Sequence, residues 1–197
     1  MFLCDTSLLI SAELIQPEVF QTYLRSERAT SARKFLQDRQ YDCKLSLRDE
    51  HALVRNYIII NMLLHNGARS GIIKELVMSN YTAARKKGAT GGNYVIHVTK
   101  HKTLESHGAA QLVLPEDIFQ LLSSYIEIRK KLPNYSEAME ADLHPVLVNY
   151  TGSHVTQSDV ANLLTRELET CGLQADRASS RTIRKAAVTH VSMKFVL

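Results

Sequence analysis

The sequence predicts a mainly α-helical domain that holds one small antiparallel β-sheet (an α+β arrangement). Three observations predict it. A strongly apolar stretch from Leu53 to Leu64 ends at Gly67 and reads as a buried helix with a glycine stop. Two β-type runs, Tyr94-Val95-Ile96-His97-Val98 and Ala110-Gln111-Leu112-Val113-Leu114, flank a glycine-containing segment and read as a long-looped hairpin. Around them, apolar residues recur at helical spacing, as in Ile118, Leu121, Leu122, Tyr125 and Ile128.

Taken in order, residues 1–16 fit one short helix. Pro17 suits the first turn of a second, over 17–38, with Val19, Phe20, Tyr23, Leu24 and Phe35 as its apolar positions. Its charges, including Arg25, Arg28, Arg33 and Lys34, read as a solvated face. Ser46 followed by Asp49 has the spacing of a capping pair for the apolar helix. After Arg69 a helical turn is expected through Ile72, Ile73 and Leu76. Arg85 to Gly92, basic and glycine-rich, reads as an exposed loop. Pro115 opens a helix to about Leu132, and Pro133 closes it. His144 to Val148 reads as extended. Thr156 and Asp159 form a capping box for a helix to Thr170 that Gly172 ends. A last helix over 179–194 turns Ile183, Ala187, Val188 and Val191 inward. The division expected is a helical extension, 1–45, followed by the main domain, 46–197.

Composition narrows the function classes. With 197 residues and 45% hydrophobic content, the chain is long enough for a sizeable core. Its 24 basic and 20 acidic residues leave a net charge of +4, mildly basic and compatible with nucleic acid. The excess is uneven: beyond Asp176 the chain carries Arg177, Arg181, Arg184, Lys185 and Lys194 and no further acid. Cys4, Cys43 and Cys171 are scattered, fit reduced thiols inside a cell, and have no metal-ligand spacing. Met1 to Ala12 has no basic leader, so a signal peptide is not expected, and the Ile58–Leu64 run is too short to cross a membrane. No metal or cofactor is expected.

The chemistry lies in three basic segments: Gly67-Ala68-Arg69 after the apolar helix, Lys100-His101-Lys102 within the hairpin, and Arg181-Thr182-Ile183-Arg184-Lys185. Arginine donates two parallel hydrogen bonds and stays charged, which suits a phosphate. Two arginines on one phosphate neutralise the charge that builds on its oxygens in a transition state. A hairpin lysine with a lowered pKa can protonate a leaving oxygen. Singly, each has an ordinary explanation: Arg69 as a cation on the last helix carbonyls, the others as solvated charges.

Together and in this order, residues 51–193 resemble the catalytic domain of tyrosine recombinases, the phage-integrase family. Gly67-Ala68-Arg69 resembles the first arginine motif, and Ile96 through Lys102-Thr103-Leu104-Glu105-Ser106 to Pro115 resembles the lysine-bearing hairpin. Arg181-Thr182-Ile183-Arg184 resembles the second arginine motif, usually His-x-x-Arg. Arginine at its first position is similar to the variant in Crypton-type transposons and genes derived from them. The resemblance implies Arg69, Lys102, Arg181 and Arg184 as catalytic-site residues, with Lys100 as the fallback lysine. It implies Lys100, Arg85, Lys86, Lys87 and Lys185 as contacts to double-stranded DNA, assembly as a homo-oligomer on DNA, and, in a eukaryote, the nucleus. Three departures follow. Ile72 stands where the family often has a carboxylate, Arg181 cannot act as a general base, and no tyrosine follows Tyr150 to serve as nucleophile. His190 matches a common, non-catalytic helix position. The expectation is therefore a DNA-binding, transposon-derived recombinase domain, truncated at its C-terminus and inactive as it stands. The alternatives are a piece of an active recombinase working through a phosphotyrosine, and a helical interaction domain with no DNA role.

Overall fold

The computed structural model describes residues 17–38, 46–67, 69–88, 92–99, 109–174 and Thr182. The organising element is a 20-residue helix, Leu47–Asn66, here α3. Ser46 starts it: its hydroxyl accepts the Asp49 N–H at 3.2 Å. Gly67 stops it in the left-handed conformation (φ 52, ψ 31), where a Cβ would be strained. Every residue from Asn56 to Leu64 is buried, so this helix must be covered on all sides.

The covering layers come from both ends of the chain. Helices α1 (Pro17–Arg25) and α2 (Glu27–Asp38) bury Phe20, Tyr23, Ala29, Ala32 and Leu36 in the same core as α3. The expected single helix over 17–38 is thus two. Ser26 breaks it, because its hydroxyl accepts the Ala29 N–H at 3.2 Å and so caps a new helix. Two short helices, α4 (Ser70–Lys74) and α5 (Met78–Thr82), follow Arg69; Leu76, expected within the first turn, lies between them and is buried.

The sheet has three antiparallel strands in the order β1 (Arg85–Lys87), β2 (Asn93–Val98) and β3 (Ala110–Pro115). The hairpin pairing is as expected, with Tyr94 opposite Leu114 and Val98 opposite Ala110. The loop expected over 85–92 is corrected: Arg85 pairs with Val95 and Lys87 with Asn93. All three β1 side chains are exposed. An edge strand of this kind buries no side chain, so no apolar alternation marks it in the sequence.

Helix α6 (Glu116–Arg129) begins one residue later than expected, because Pro115 is the last residue of β3 and occupies the cap position. Ile118, Leu121, Leu122, Tyr125 and Ile128 are buried as their spacing predicts. After a 3₁₀ turn (Glu137–Glu140), Val77 bridges Pro145 and Val148 bridges His154. Helix α7 (Gln157–Thr170) starts with the Thr156–Asp159 capping box, and Gly172 follows it at φ 69. Helix α7 packs on α3 and α4. The helices expected over 1–16 and 179–194 lie outside the described residues, except that Thr182 is helical.

Arg129, fully buried at the end of α6, ties the irregular 139–146 segment down. One terminal nitrogen donates to the Pro145 and Val146 carbonyls at 3.1 and 2.9 Å, the other to the Met139 carbonyl at 2.7 Å. No carboxylate pairs with it among the described residues; burial pulls its pKa down, and the backbone dipoles offset that cost. Replacing it with methionine strands the buried Val146 and Met139 carbonyls. Arg129→Met is expected to lower stability by ~3 kcal/mol or more, read as a shift in the urea unfolding midpoint.

Candidate functional site: a basic turn fastened to the sheet edge

Arg69 follows the glycine stop of α3 in extended backbone (φ −73, ψ 137) and occupies the cap position of α4. Its carbonyl accepts the Ile72 N–H at 2.9 Å, while its side chain is exposed. The guanidinium makes no hydrogen bond or ion pair with any described residue, so it does not serve the last carbonyls of α3. A free cation is thus held on a fixed backbone.

What fixes that backbone is Asn66, the last residue of α3. Its side-chain oxygen accepts the Val113 N–H of β3 at 2.6 Å, and its amide donates to the Met62 carbonyl at 3.1 Å. Strand β3 pairs with β2 on one side only, so the Val113 N–H on its open edge needs a partner, and Asn66 supplies it. The turn bearing Arg69 is thereby fastened to the hairpin. Next to Asn66, His65 is half-buried, and desolvation lowers its pKa.

On the other edge of the same sheet, β1 presents Arg85, Lys86 and Lys87 to solvent. Lys86 pairs with Glu116, which raises its pKa, and its ammonium lies 6.0 Å from the Tyr94 ring centroid. Arg85 and Lys87 have no ion-pair partner among the described residues. Tyr94 stacks on Phe119 with centroids 3.9 Å apart and planes within 1°. Lys100, Lys102, Arg181, Arg184 and Lys185 lie outside the described residues.

The described tyrosines are occupied elsewhere. Tyr23, Tyr57 and Tyr125 are core residues. The Tyr81 hydroxyl donates to Ser123 at 2.9 Å. Tyr150 is half-buried, its ring 6.4 Å from that of His51. No hydrogen bond or ring contact joins a described tyrosine to Arg69. Among the described residues, no group of three or more His, Cys, Asp or Glu stands where it would hold a metal ion. No described helix is long and apolar enough to cross a membrane.

A polar network on the opposite half of α3 had no place in the sequence reading. Glu167, 4% exposed, accepts two hydrogen bonds from Arg28, at 2.6 and 2.9 Å, and a third from Asn56 at 2.8 Å. Arg28 is therefore an anchor of α2 on α7 rather than part of a solvated face. One signal did exist: Glu167 continues the buried stripe Val160, Leu163, Leu164, Leu168, where a carboxylate needs a partner. Beside this network, His51 is fully buried and its Nε2 lies 3.4 Å from the Tyr125 hydroxyl.

Two solved recombinases resemble this fold. XerA recombinase is 18% identical, with a TM-score of 0.50 over 84% of this chain and 48% of its own. XerH site-specific recombinase bound to its palindromic difH substrate, in a post-cleavage complex, is 18% identical, with a TM-score of 0.53 over 84% of this chain and 40% of its own. The pre-cleavage complex of XerH with difH gives 20% identity and a TM-score of 0.53 over 82% and 42%. The fold is therefore that of the tyrosine recombinase catalytic domain, as the resemblance implied, and the chain spans less than half the length of these recombinases. No protein-family model and no curated protein matches the sequence.

Burial, then the charges of Arg55 and Arg129, lowers the His51 pKa from 6.5 to about 3. The folded state holds the imidazole neutral, so the unfolded chain takes up the proton first as pH falls. This contribution to stability is complete above pH 6.5 and is lost progressively toward about pH 3. Between about pH 6 and pH 5, before most carboxylates titrate, His51→Gln is expected to flatten the fall in unfolding free energy by up to ~1.4 kcal/mol per pH unit. Urea melts of both proteins across that window measure it.

Proposed function

We propose that this domain grips double-stranded DNA through its backbone phosphates, as a recombinase-type module whose anchor is Arg69. The observation that carries the reading is the uncommitted, exposed guanidinium of Arg69, fastened through Asn66 to a sheet whose other edge is Arg85-Lys86-Lys87. A phosphate needs converging donors held in place beforehand, and a cation without an internal partner loses nothing when it turns to a ligand. By the resemblance of their motifs, Lys100, Lys102, Arg181, Arg184 and Lys185 belong to the same surface, with Lys102 and the two motif arginines directed at one phosphate. The likeness to recombinase structures, two of them bound to a difH substrate, supports the same reading.

Arginine at position 181 supports a Crypton-type, transposon-derived origin, and with it a nuclear site of action in a eukaryote. Assembly of several copies on DNA is part of the same reading. Strand exchange by the described tyrosines is not. Tyr125 is fully buried and desolvation raises its pKa, so its hydroxyl neither reaches a phosphate nor ionises readily.

Two measurements test this. Affinity for a fluorescent duplex should fall by ~10³ or more between 50 and 200 mM salt if six or more phosphates are contacted. Arg69→Ala and an Arg85→Ala/Lys87→Ala pair should each weaken binding across all sequences and reduce the salt slope by about one unit for every phosphate released from its cation. An affinity flat in salt removes the proposal and favours a protein-interaction role. On a nicked duplex that traps covalent intermediates, no adduct dependent on Tyr94, Tyr125 or Tyr150 is expected. An adduct abolished by changing one of them to phenylalanine overturns the assignment of these tyrosines.

A further inference from the structure

The geometry points to a second anion site, separate from the Arg69 surface: a recess between α3 and α7 where Arg55 stands ready for a small phosphate-bearing anion. The cavity has a volume of about 450 Å³, and its lining includes Arg48, His51, Arg55, Asn149, Asp159 and Arg166 but not Arg69. Such a volume admits a ligand of pyrophosphate or nucleotide size.

The charge within it is unbalanced. Arg55 is half-buried, yet its hydrogen bonds go to neutral amide oxygens. Its Nε and one terminal nitrogen donate to Asn56 at 3.1 and 2.9 Å, and the other terminal nitrogen donates to Asn149 at 2.9 Å. One N–H on each terminal nitrogen is left over, since a guanidinium has five. Two acids lie near enough to matter: Glu167 is paired, and Asp159 offsets one of the three arginine charges. Glu167 is neutralised by the bidentate bond from Arg28. Asp159, the single acid of the lining, accepts the N–H and hydroxyl of Thr156 at 3.0 and 2.7 Å. Arg48 and Arg166, both exposed, add two more cations at the mouth.

A second, independent feature faces the same space. His51 lines the cavity, is fully buried, and its Nδ1 has no hydrogen-bond partner among the described residues. A buried polar atom without a partner is costly. When the Tyr125 hydroxyl donates to Nε2, Nδ1 carries the proton and is an unused neutral donor in the wall of the cavity. An excess of two positive charges, an imidazole N–H and two unused guanidinium hydrogens suit a phosphate dianion. The recess selects a free or chain-terminal phosphate, because a phosphate within a duplex is held at the surface by its flanking sugars.

The test is a calorimetric titration of the whole chain with pyrophosphate at constant ionic strength. A saturable single site is expected. It should weaken about tenfold or more in Arg55→Gln and in the Arg48→Gln/Arg166→Gln pair, and stay unchanged in Arg69→Ala. The paired variant changes exposed side chains only, so it reads binding even if Arg55→Gln impairs folding. No saturable binding at matched ionic strength overturns the site. So does an affinity that survives the paired variant unchanged, or one that disappears in Arg69→Ala. Competition by a 5′-phosphorylated but not a 5′-hydroxyl dinucleotide assigns the anion to a nucleic-acid end. Lack of competition by either assigns it to a free phosphate compound.

Discussion

Everything in this fold answers to one constraint: helix α3 is buried around its whole circumference through its second half. A helix of that kind has no solvated face and cannot stand at a surface. It is covered by α2 and α6 on one flank, by β3 on another, and by α7 on a third. At its ends the chain changes from core to solvent over a few residues. At one end Ser46 and its capping bond start the helix. At the other, Gly67 reverses the backbone and Arg69 emerges at once. The backbone that carries Arg69 is therefore placed by the core behind it and by the Asn66–Val113 bond, not by any bond of its own side chain.

The buried polar groups divide by how they offset desolvation. Glu167 uses charge, taking Arg28 in a bidentate bond and Asn56 in a third contact. These bonds join α2, α3 and α7 across the core, from residues far apart in the chain. Arg129 uses backbone dipoles instead, three carbonyls from the segment that leads to Val148. The first arrangement fixes helices against one another; the second shapes an irregular segment. Arg55 follows neither pattern, with side-chain amides as its partners and no counter-charge among them.

Legibility in the sequence tracks how local each feature is. Ser46, Gly67, the Thr156–Asp159 box and the β2–β3 pairing were all readable, because each depends on neighbours within a few residues or on simple alternation. Arg69 was readable as a cation after a helix stop, but not its fastening, since the Asn66–Val113 bond spans 47 residues. Strand β1 was not, because an exposed basic edge looks like a loop until its partner is known. The break at Ser26 hides among good helix formers and needs only one hydroxyl to cap a new start. The Arg55 recess could not be foreseen at all: it is built from three stretches around residues 55, 149 and 166, none of which has a phosphate-binding pattern of its own.

The two arginine settings have different physical consequences. Arg69 is exposed, so a phosphate 4 Å away is attracted by only about 1 kcal/mol in a water-like dielectric, and salt weakens that further. One such contact does not hold DNA; a set of them does, each releasing a condensed counterion and each indifferent to sequence. That is the energetics of a surface that samples DNA broadly. Arg55 is half-withdrawn from water, and burial lowers its pKa. There the same separation is worth about 4 kcal/mol at an effective dielectric of 20, before the ligand's own desolvation is subtracted. A ligand that enters this recess must leave its hydration behind, so shape and terminal charge decide what binds. Since the recess lies between α3 and α7, its occupant would bear on the same two helices that Glu167 joins. Helix α7 in turn packs against α4, the helix that Arg69 caps. Anion binding at Arg55 therefore has a continuous path of packed elements to the Arg69 turn, although the size of any coupling depends on how differently the two states of that path bind the anion.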